Sequence, residues 1–188
     1  MAERPTVSVV LPVKDGALFL GGAINSILGQ TLEDIELVVV DDASTDETAA
    51  IARAAAVRDK RLRFVASEGR GIVDALETGI ALTTGEFVAR MDHDDVALPW
   101  RLERQVAHMR DRQYLGLVGG AIELIDGVGR LLRRIECPTD PVALHELVLS
   151  RVCFASPTTM VTRDALDEVG GFRRLFEPAE DVDLCIRV

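Results

Sequence analysis

Four short apolar runs, each followed by a segment with the spacing or caps of a helix or a helix-opening proline, leave this chain little choice of architecture. Val7-Ser8-Val9-Val10-Leu11, Ile35 to Val40, Leu62 to Val65 and Phe87 to Met91 are rich in β-branched residues. Most are continuously apolar rather than alternating, the pattern of strands covered on both faces. Between them, Phe19 to Leu28 places Leu20, Ile24, Ile27 and Leu28 on one helical face. Ser44 and Glu47 have the spacing of a capping box, so a second helix is expected to start there and run through Ala56. Ile72 to Leu82 predicts a third. This rhythm predicts an α/β fold, with a mostly parallel central sheet flanked by helices. At 188 residues, the chain is long enough for one domain with a substantial core.

In open parallel sheets, ligands bind beyond the carboxyl ends of the strands. Two of the predicted strands run straight into acid: Asp41-Asp42 after the second, and Asp92, Asp94 and Asp95 after the fourth. If the strands are parallel, both groups share one sheet edge. Crowded carboxylates repel one another, and a cation relieves that repulsion. Mg²⁺ and Mn²⁺ take oxygen ligands, commonly one or two carboxylates together with substrate phosphates. A metal on Asp92, Asp94 or Asp95 would present a Lewis acid to a diphosphate. A lone Asp-x-Asp is more often a solvated turn; here the second acidic pair, and Pro99 opening a helix, favour a site. His93, between the ligands, is expected to point away from them, as alternate residues do in an extended segment. Asp41 and Asp42 accept hydrogen bonds only, which suits base N–H and ribose O–H groups; the competing reading is a turn ahead of a helix. Glu180-Asp181 reads either as first-turn acids of a last helix or as the source of a general base. Arg70 and Arg90 have the chemistry to meet phosphate, and Arg90 could equally balance the acids beside it.

The second half is more mixed. Ala121 to Ile125, Asp126-Gly127 and Leu131 to Ile135 predict a hairpin. Pro141 to Leu149 predicts a short helix and Thr158 to Val161 a strand. Arg163 to Val169 predicts a helix closed by Gly170-Gly171. The net charge of −10 argues against a nucleic-acid surface and against direct docking on anionic lipid. Cys137, Cys153 and Cys185 have no metal-binding spacing and read as reduced thiols of a cytoplasmic protein. The apolar run near the N-terminus is bounded by Pro5, Pro12 and Lys14, too short for a signal peptide, and no run reaches the ~18 residues of a membrane span.

Taken in order, VSVVLPVKDGALFLGGAINSILGQT, IELVVVDDASTDET, GIALTTGEFVARMDHDD, LPWRLERQV, MVTRDALDEVGGF and AEDVDLCIRV resemble the family 2 glycosyltransferases, inverting enzymes of the GT-A fold. The resemblance runs over nearly the whole chain. It implies a nucleotide-diphosphate sugar donor, usually UDP-linked, a Mn²⁺ or Mg²⁺ ion, and a saccharide or lipid-linked saccharide acceptor. By position, Pro12 and Val13 would line the nucleotide pocket and Asp41 would contact the base, with Asp42 beside it. Asp92-His93-Asp94 would be the DxD motif, with Asp94 the first choice as metal ligand and Asp92 and Asp95 sharing that role. Asp181 would be the general base. About 1–99 would hold the donor and about 100–188 the acceptor. The chain would be a single catalytic domain, C-terminally shortened, working in cell-envelope or capsular polysaccharide synthesis at the inner face of the membrane, with peripheral membrane association of the longer protein. Three places depart from the family pattern: Lys14-Asp15 where an aromatic or small residue and Asn are common, Glu77 where many relatives have Asn, and Ser156 where a histidine precedes the proline. The rival readings are an inactive sugar-nucleotide-binding domain, a haloacid-dehalogenase-type phosphatase with Asp92 as nucleophile, and a sugar nucleotidyltransferase. The phosphatase motif belongs after a first strand, and the nucleotidyltransferase needs a basic glycine-rich loop that LPVKDGALFL does not supply.

Overall fold

The computed structural model describes residues 4–140, 142–144 and 155–188. Four strand–helix units open the fold: β1 (Val7–Val13), α1 (Leu20–Leu28), β2 (Ile35–Asp41), α2 (Thr48–Arg58), β3 (Leu62–Ala66), α3 (Ile72–Ile80), β4 (Phe87–Arg90) and α4 (Arg101–Asp111). Then come β5 (Leu117–Val118), the hairpin β6 (Ile122–Ile125) and β7 (Leu131–Ile135), β8 (Met160–Thr162), α5 (Arg163–Val169) and α6 (Glu180–Arg187). The main sheet has six strands in the order β3-β2-β1-β4-β8-β5. β3, β2, β1 and β4 are mutually parallel, and β8 runs against both β4 and β5. The predicted mostly parallel α/β sheet is present.

Period-two alternation divides the core. Val7, Val9, Leu11 and Val13 of β1 pack with Leu20, Ile24 and Ile27 of α1, Ala52 of α2 and Leu102 and Val106 of α4. Val10 faces the other way, with Leu76 of α3, Leu166 of α5 and Leu184 of α6. The central strand is therefore covered on both faces, which is why it reads as continuously apolar. α3 lies so close to the sheet that a Cβ at Gly79 would come 2.4 Å from Val10 Cγ1 and 3.2 Å from Val40 Cγ2. Gly79→Ala is expected to cost about 1–3 kcal/mol by overpacking, outweighing the roughly 1 kcal/mol that alanine gains in helix propensity. A lower urea midpoint would be the sign of it.

Two local expectations need correction. Helix α2 begins at Thr48 and has no side-chain cap, so the Ser44–Glu47 capping box does not form. Ser44 is drawn off to accept the Asp15 N–H at 2.8 Å, and Asp46 takes the Thr48 N–H at 2.9 Å. The strand expected at Thr158 starts at Met160, because 156–158 form a 3-10 turn. The short strand β5 was not foreseen. The predicted hairpin is present, as a separate two-stranded sheet with a register shift at Leu124–Ile125. Of the helix expected from Pro141 to Leu149, 142–144 are helical and the remainder lies outside the described residues.

Candidate active site

The parallel strands bring the acids to one edge. Val13 of β1 pairs with Asp41 of β2, and Asp41 with Ala66 of β3, so these ends are level. β4 stops earlier, with Arg90 beside Val10 and the Met91 N–H on the Val10 carbonyl at 3.0 Å. From Asp92 onward the chain therefore leaves the sheet alongside the last residues of β1. Pro12 falls where that side of β1 has lost its partner, so its missing N–H costs no ladder bond. Pro12 and Val13 are both buried.

Asp41 and Asp42 are both buried, but their commitments differ. Asp42 Oδ1 accepts from Ser67 Oγ at 2.8 Å and Oδ2 from the Gly71 N–H at 3.1 Å. Both its oxygens tie the end of β2 to the β3–α3 loop. Asp41 uses only Oδ1, on the Ser44 N–H at 3.0 Å. Of the pair, Asp41 is the one with an oxygen to spare. Arg70 lies in the same β3–α3 loop, exposed and ion-paired with Glu68, an arrangement that is weak in water.

Asp15 was missed as a structural residue. Its φ of +49° lies in the left-handed region that Asp and Asn tolerate better than most residues. Its Oδ1 accepts the N–H of Thr45 at 2.7 Å, and its own N–H reaches Ser44 Oγ. Thr48 Oγ1 and Asp46 Oδ2 accept the N–H groups of Gly16 and Ala17 at 2.9 and 3.0 Å. The loops after β1 and β2 are thereby latched together.

The DxD segment is a turn, with the Asp95 N–H directed at the Asp92 carbonyl at 3.4 Å. His93 and Asp94 occupy its centre, so the alternation expected of an extended segment does not apply to His93. Its ring lies over Gly16, where an added Cβ would come 2.4 Å from Cδ2. Asp94 and Asp95 are exposed and Asp92 is half-buried. Desolvation pushes the Asp95 carboxyl above its ordinary value; Asp92 and Asp94 add to the rise, and Arg101 and His93 oppose it. Behind the turn, burial pulls the Arg101 guanidinium down to about 10, with Asp95 and Asp92 opposing. Arg101 Nη2 donates to the carbonyls of Arg90 at 2.9 Å and Thr159 at 3.3 Å.

Arg90 is a bridge. Its side chain is 11% exposed, with Nε on Asp92 Oδ1 at 3.0 Å and Nη1 on Glu180 Oε1 at 3.1 Å. Burial works against its charge, but the two carboxylates outweigh that and hold it firmly protonated. The first acid of the DxD turn and the first acid of α6 are thus joined through one guanidinium. Glu180 Oε2 is buried without a partner, alone among the described side-chain oxygens and nitrogens. Asp181 accepts the Ser156 hydroxyl on Oδ2 and the Val182 N–H on Oδ1 at 2.7 Å. Asp183 ties α6 to Arg173 and pairs within the helix, at 2.8 Å, with Arg187, whose guanidinium also donates to the Val169 and Gly171 carbonyls. Glu77 braces the turn that closes α5, its Oε1 accepting the Phe172 N–H at 2.7 Å just past Gly170-Gly171.

The sequence set therefore converges on one edge, apart from Arg90, which serves Asp92 and Glu180 rather than presenting itself to a ligand. The sequence marked Ser156 only as a departure from the family pattern. Its value appears only when the turn before β8 meets the start of α6.

The sequence profile of Glycosyl transferase family 2 matches residues 8–171. The chain belongs to that family. A glycosyltransferase from Rickettsia felis is 32% identical over 189 residues, covering 98% of this chain and 31% of the relative. The O-antigen biosynthesis glycosyltransferase WbnJ of Escherichia coli is 30% identical over 183 residues, covering 97% of this chain and 71% of WbnJ. Among solved structures, the mannosyltransferase PcManGT of Pyrobaculum calidifontis, in complex with GDP-Man and Mn²⁺, superposes with a TM-score of 0.73 at 25% identity, over 97% of this chain and 51% of PcManGT. The chain thus spans about a third of the Rickettsia relative and about half of PcManGT. The fold is GT-A. No helix among the described residues is long and apolar enough to cross a membrane.

Proposed function

We propose that this chain is the catalytic domain of an inverting, metal-dependent glycosyltransferase. It moves a sugar from a nucleoside-diphosphate donor, a UDP-sugar, to a hydroxyl of a saccharide or lipid-linked saccharide, in polysaccharide assembly at the inner face of the membrane. The observation that carries this reading is the Arg90 bridge, which holds the DxD turn and the Glu180-Asp181 pair side by side. The O-antigen role in WbnJ's name supports the pathway. The GDP-Man and Mn²⁺ in PcManGT support a nucleotide-sugar donor with a metal.

In this reading, 1–99 hold the donor and 100–188 the acceptor. Asp41 offers its spare oxygen to the base above Pro12 and Val13. Asp42 shapes the loop behind, and Arg70 leaves Glu68 to meet the diphosphate. The donor set at the turn is all oxygen, as Mg²⁺ or Mn²⁺ requires. No group of three His, Cys, Asp or Glu among the described residues forms a ready metal cage. The fit is therefore to an ion held by Asp94, with Asp92 or Asp95, and completed by the donor's own phosphates. Such an ion would offset the charge of the leaving diphosphate. Asp181 takes the proton of the acceptor hydroxyl as that oxygen attacks the anomeric carbon and the bond to the diphosphate breaks, inverting the centre.

Calorimetric titration with UDP, GDP, TDP and CDP, with and without Mn²⁺, tests the site. UDP is expected to bind, and to bind more tightly with Mn²⁺. Asp94→Ala should remove the metal-dependent gain while leaving the metal-free affinity unchanged. An unchanged gain would take the metal away from Asp94, and binding of GDP alone would change the donor assignment.

A further inference from the structure

Two struts reach the start of α6 from different parts of the fold. The first, from β4, is Arg90 on Glu180. The second comes from the 3-10 turn Ser156–Thr158, whose Ser156 hydroxyl donates to Asp181 Oδ2. That turn is itself anchored. Gln105 Nε2 of α4 donates to the Thr158 carbonyl at 2.7 Å, and Arg101 Nη2 to that of Thr159 at 3.3 Å. The Gly120 N–H donates to Thr158 Oγ1 at 3.0 Å, and Thr159 Oγ1 closes back on the Ser156 carbonyl at 2.8 Å. Ser156 therefore stands on a fixed base. It belongs to neither acidic cluster, and it lies in the half of the chain proposed to receive the acceptor.

We propose that Ser156 is the positioning residue of the general base, its hydroxyl fixing the Asp181 carboxylate toward the acceptor. This rests on the reading of Asp181 as base. A carboxylate has room for about four hydrogen bonds. Asp181 uses one on each oxygen, for Ser156 and for Val182. Each oxygen keeps a lone pair for the incoming hydroxyl, and the two protein donors fix the plane of the carboxylate. Without Ser156 the carboxylate keeps its charge and its neighbour's N–H, but is free to turn. A base that turns is in line with the acceptor for a smaller share of the time, so catalysis weakens while donor binding does not.

The test combines a signal from the protein alone with kinetics. The ¹³Cγ resonance of Asp181, assigned by its loss in Asp181→Asn, should move in Ser156→Ala and return in Ser156→Thr. With water as acceptor, and the nucleotide sugar bound most tightly in the titration as donor, Ser156→Ala should lower kcat about tenfold with the donor KM unchanged. Ser156→Thr should restore most of the rate. Ser156→Ala in the Asp181→Asn background should add no further loss, since the two residues act as one unit. An unmoved resonance, or an equal loss in both backgrounds, overturns the proposal and leaves Asp181 as base. Transfer that survives Asp181→Asn removes the base assignment itself and the proposal with it. A rise in donor KM, or misfolding of Ser156→Thr as well as Ser156→Ala, assigns Ser156 to the framework instead and also overturns it.

Discussion

Asp181→Asn is expected to leave nucleotide binding intact and to lower sugar transfer by about 10²–10⁴-fold. The substitution is nearly isosteric. Asp181 accepts on both oxygens and an amide on only one, so the amide oxygen keeps the Val182 N–H while the amide NH2 donates to Ser156 Oγ in a reversed bond, and the Arg90–Glu180 bridge beside it is untouched. The capacity to take a proton is lost, and the bond to Ser156 changes direction. Donor affinity, read by calorimetry, should match the wild type, and the loss should fall on kcat. The small remaining rate would come from donor positioning alone. Transfer at the wild-type rate would place the base elsewhere. A parallel loss of donor affinity would make Asp181 part of the donor pocket instead.

The second large effect is on stability. Arg90→Met keeps much of the side-chain volume but leaves Glu180, only 6% exposed, without its cation. Glu180 Oε2 already lacks a partner, so the whole carboxylate would then stand uncompensated. Breaking a buried pair from one side costs about 3–5 kcal/mol. For a chain of this length that is a fall in Tm on the order of 10 °C. Arg90→Lys should recover part of it, since an ammonium restores the charge but cannot fork to two carboxylates. Glu180→Met in the Arg90→Met background should recover most, because it removes the stranded charge. Urea denaturation of the four proteins checks all of this. A single-variant loss under about 0.5 kcal/mol would mean that water reaches the bridge.

The central sheet was legible because burial on both faces writes itself directly into strands such as Val7–Val13. The acid groups were legible because a parallel sheet sends its strand ends to one side, whatever the details. The Ser44–Glu47 motif misled because a side chain near a helix start can serve other loops: Asp15 and Asp46 compete for the same donors and acceptors. His93 misled because a turn stands where an extended segment was expected. Arg90 does balance the acid beside it, as one reading of the sequence allowed; its reach to Glu180, and that of Ser156 to Asp181, were illegible for a different reason. Those partners lie 90 and 25 residues away, and no local pattern encodes a contact of that kind. Asp42 was grouped with Asp41 by adjacency alone. Its bonds to Ser67 and Gly71 separate the two.

The latch between the loops after β1 and β2 has a thermodynamic consequence. Asp15, Ser44, Asp46 and Thr48 hold the floor of the proposed nucleotide pocket in place through four bonds to backbone N–H groups. Loop ordering and immobilised side chains are among the chief costs of association. Here that entropy has been surrendered during folding, before any ligand arrives. Recognition of the base is then closer to docking on a preorganised surface than to coupled ordering, and the heat capacity change on binding a nucleotide should be small.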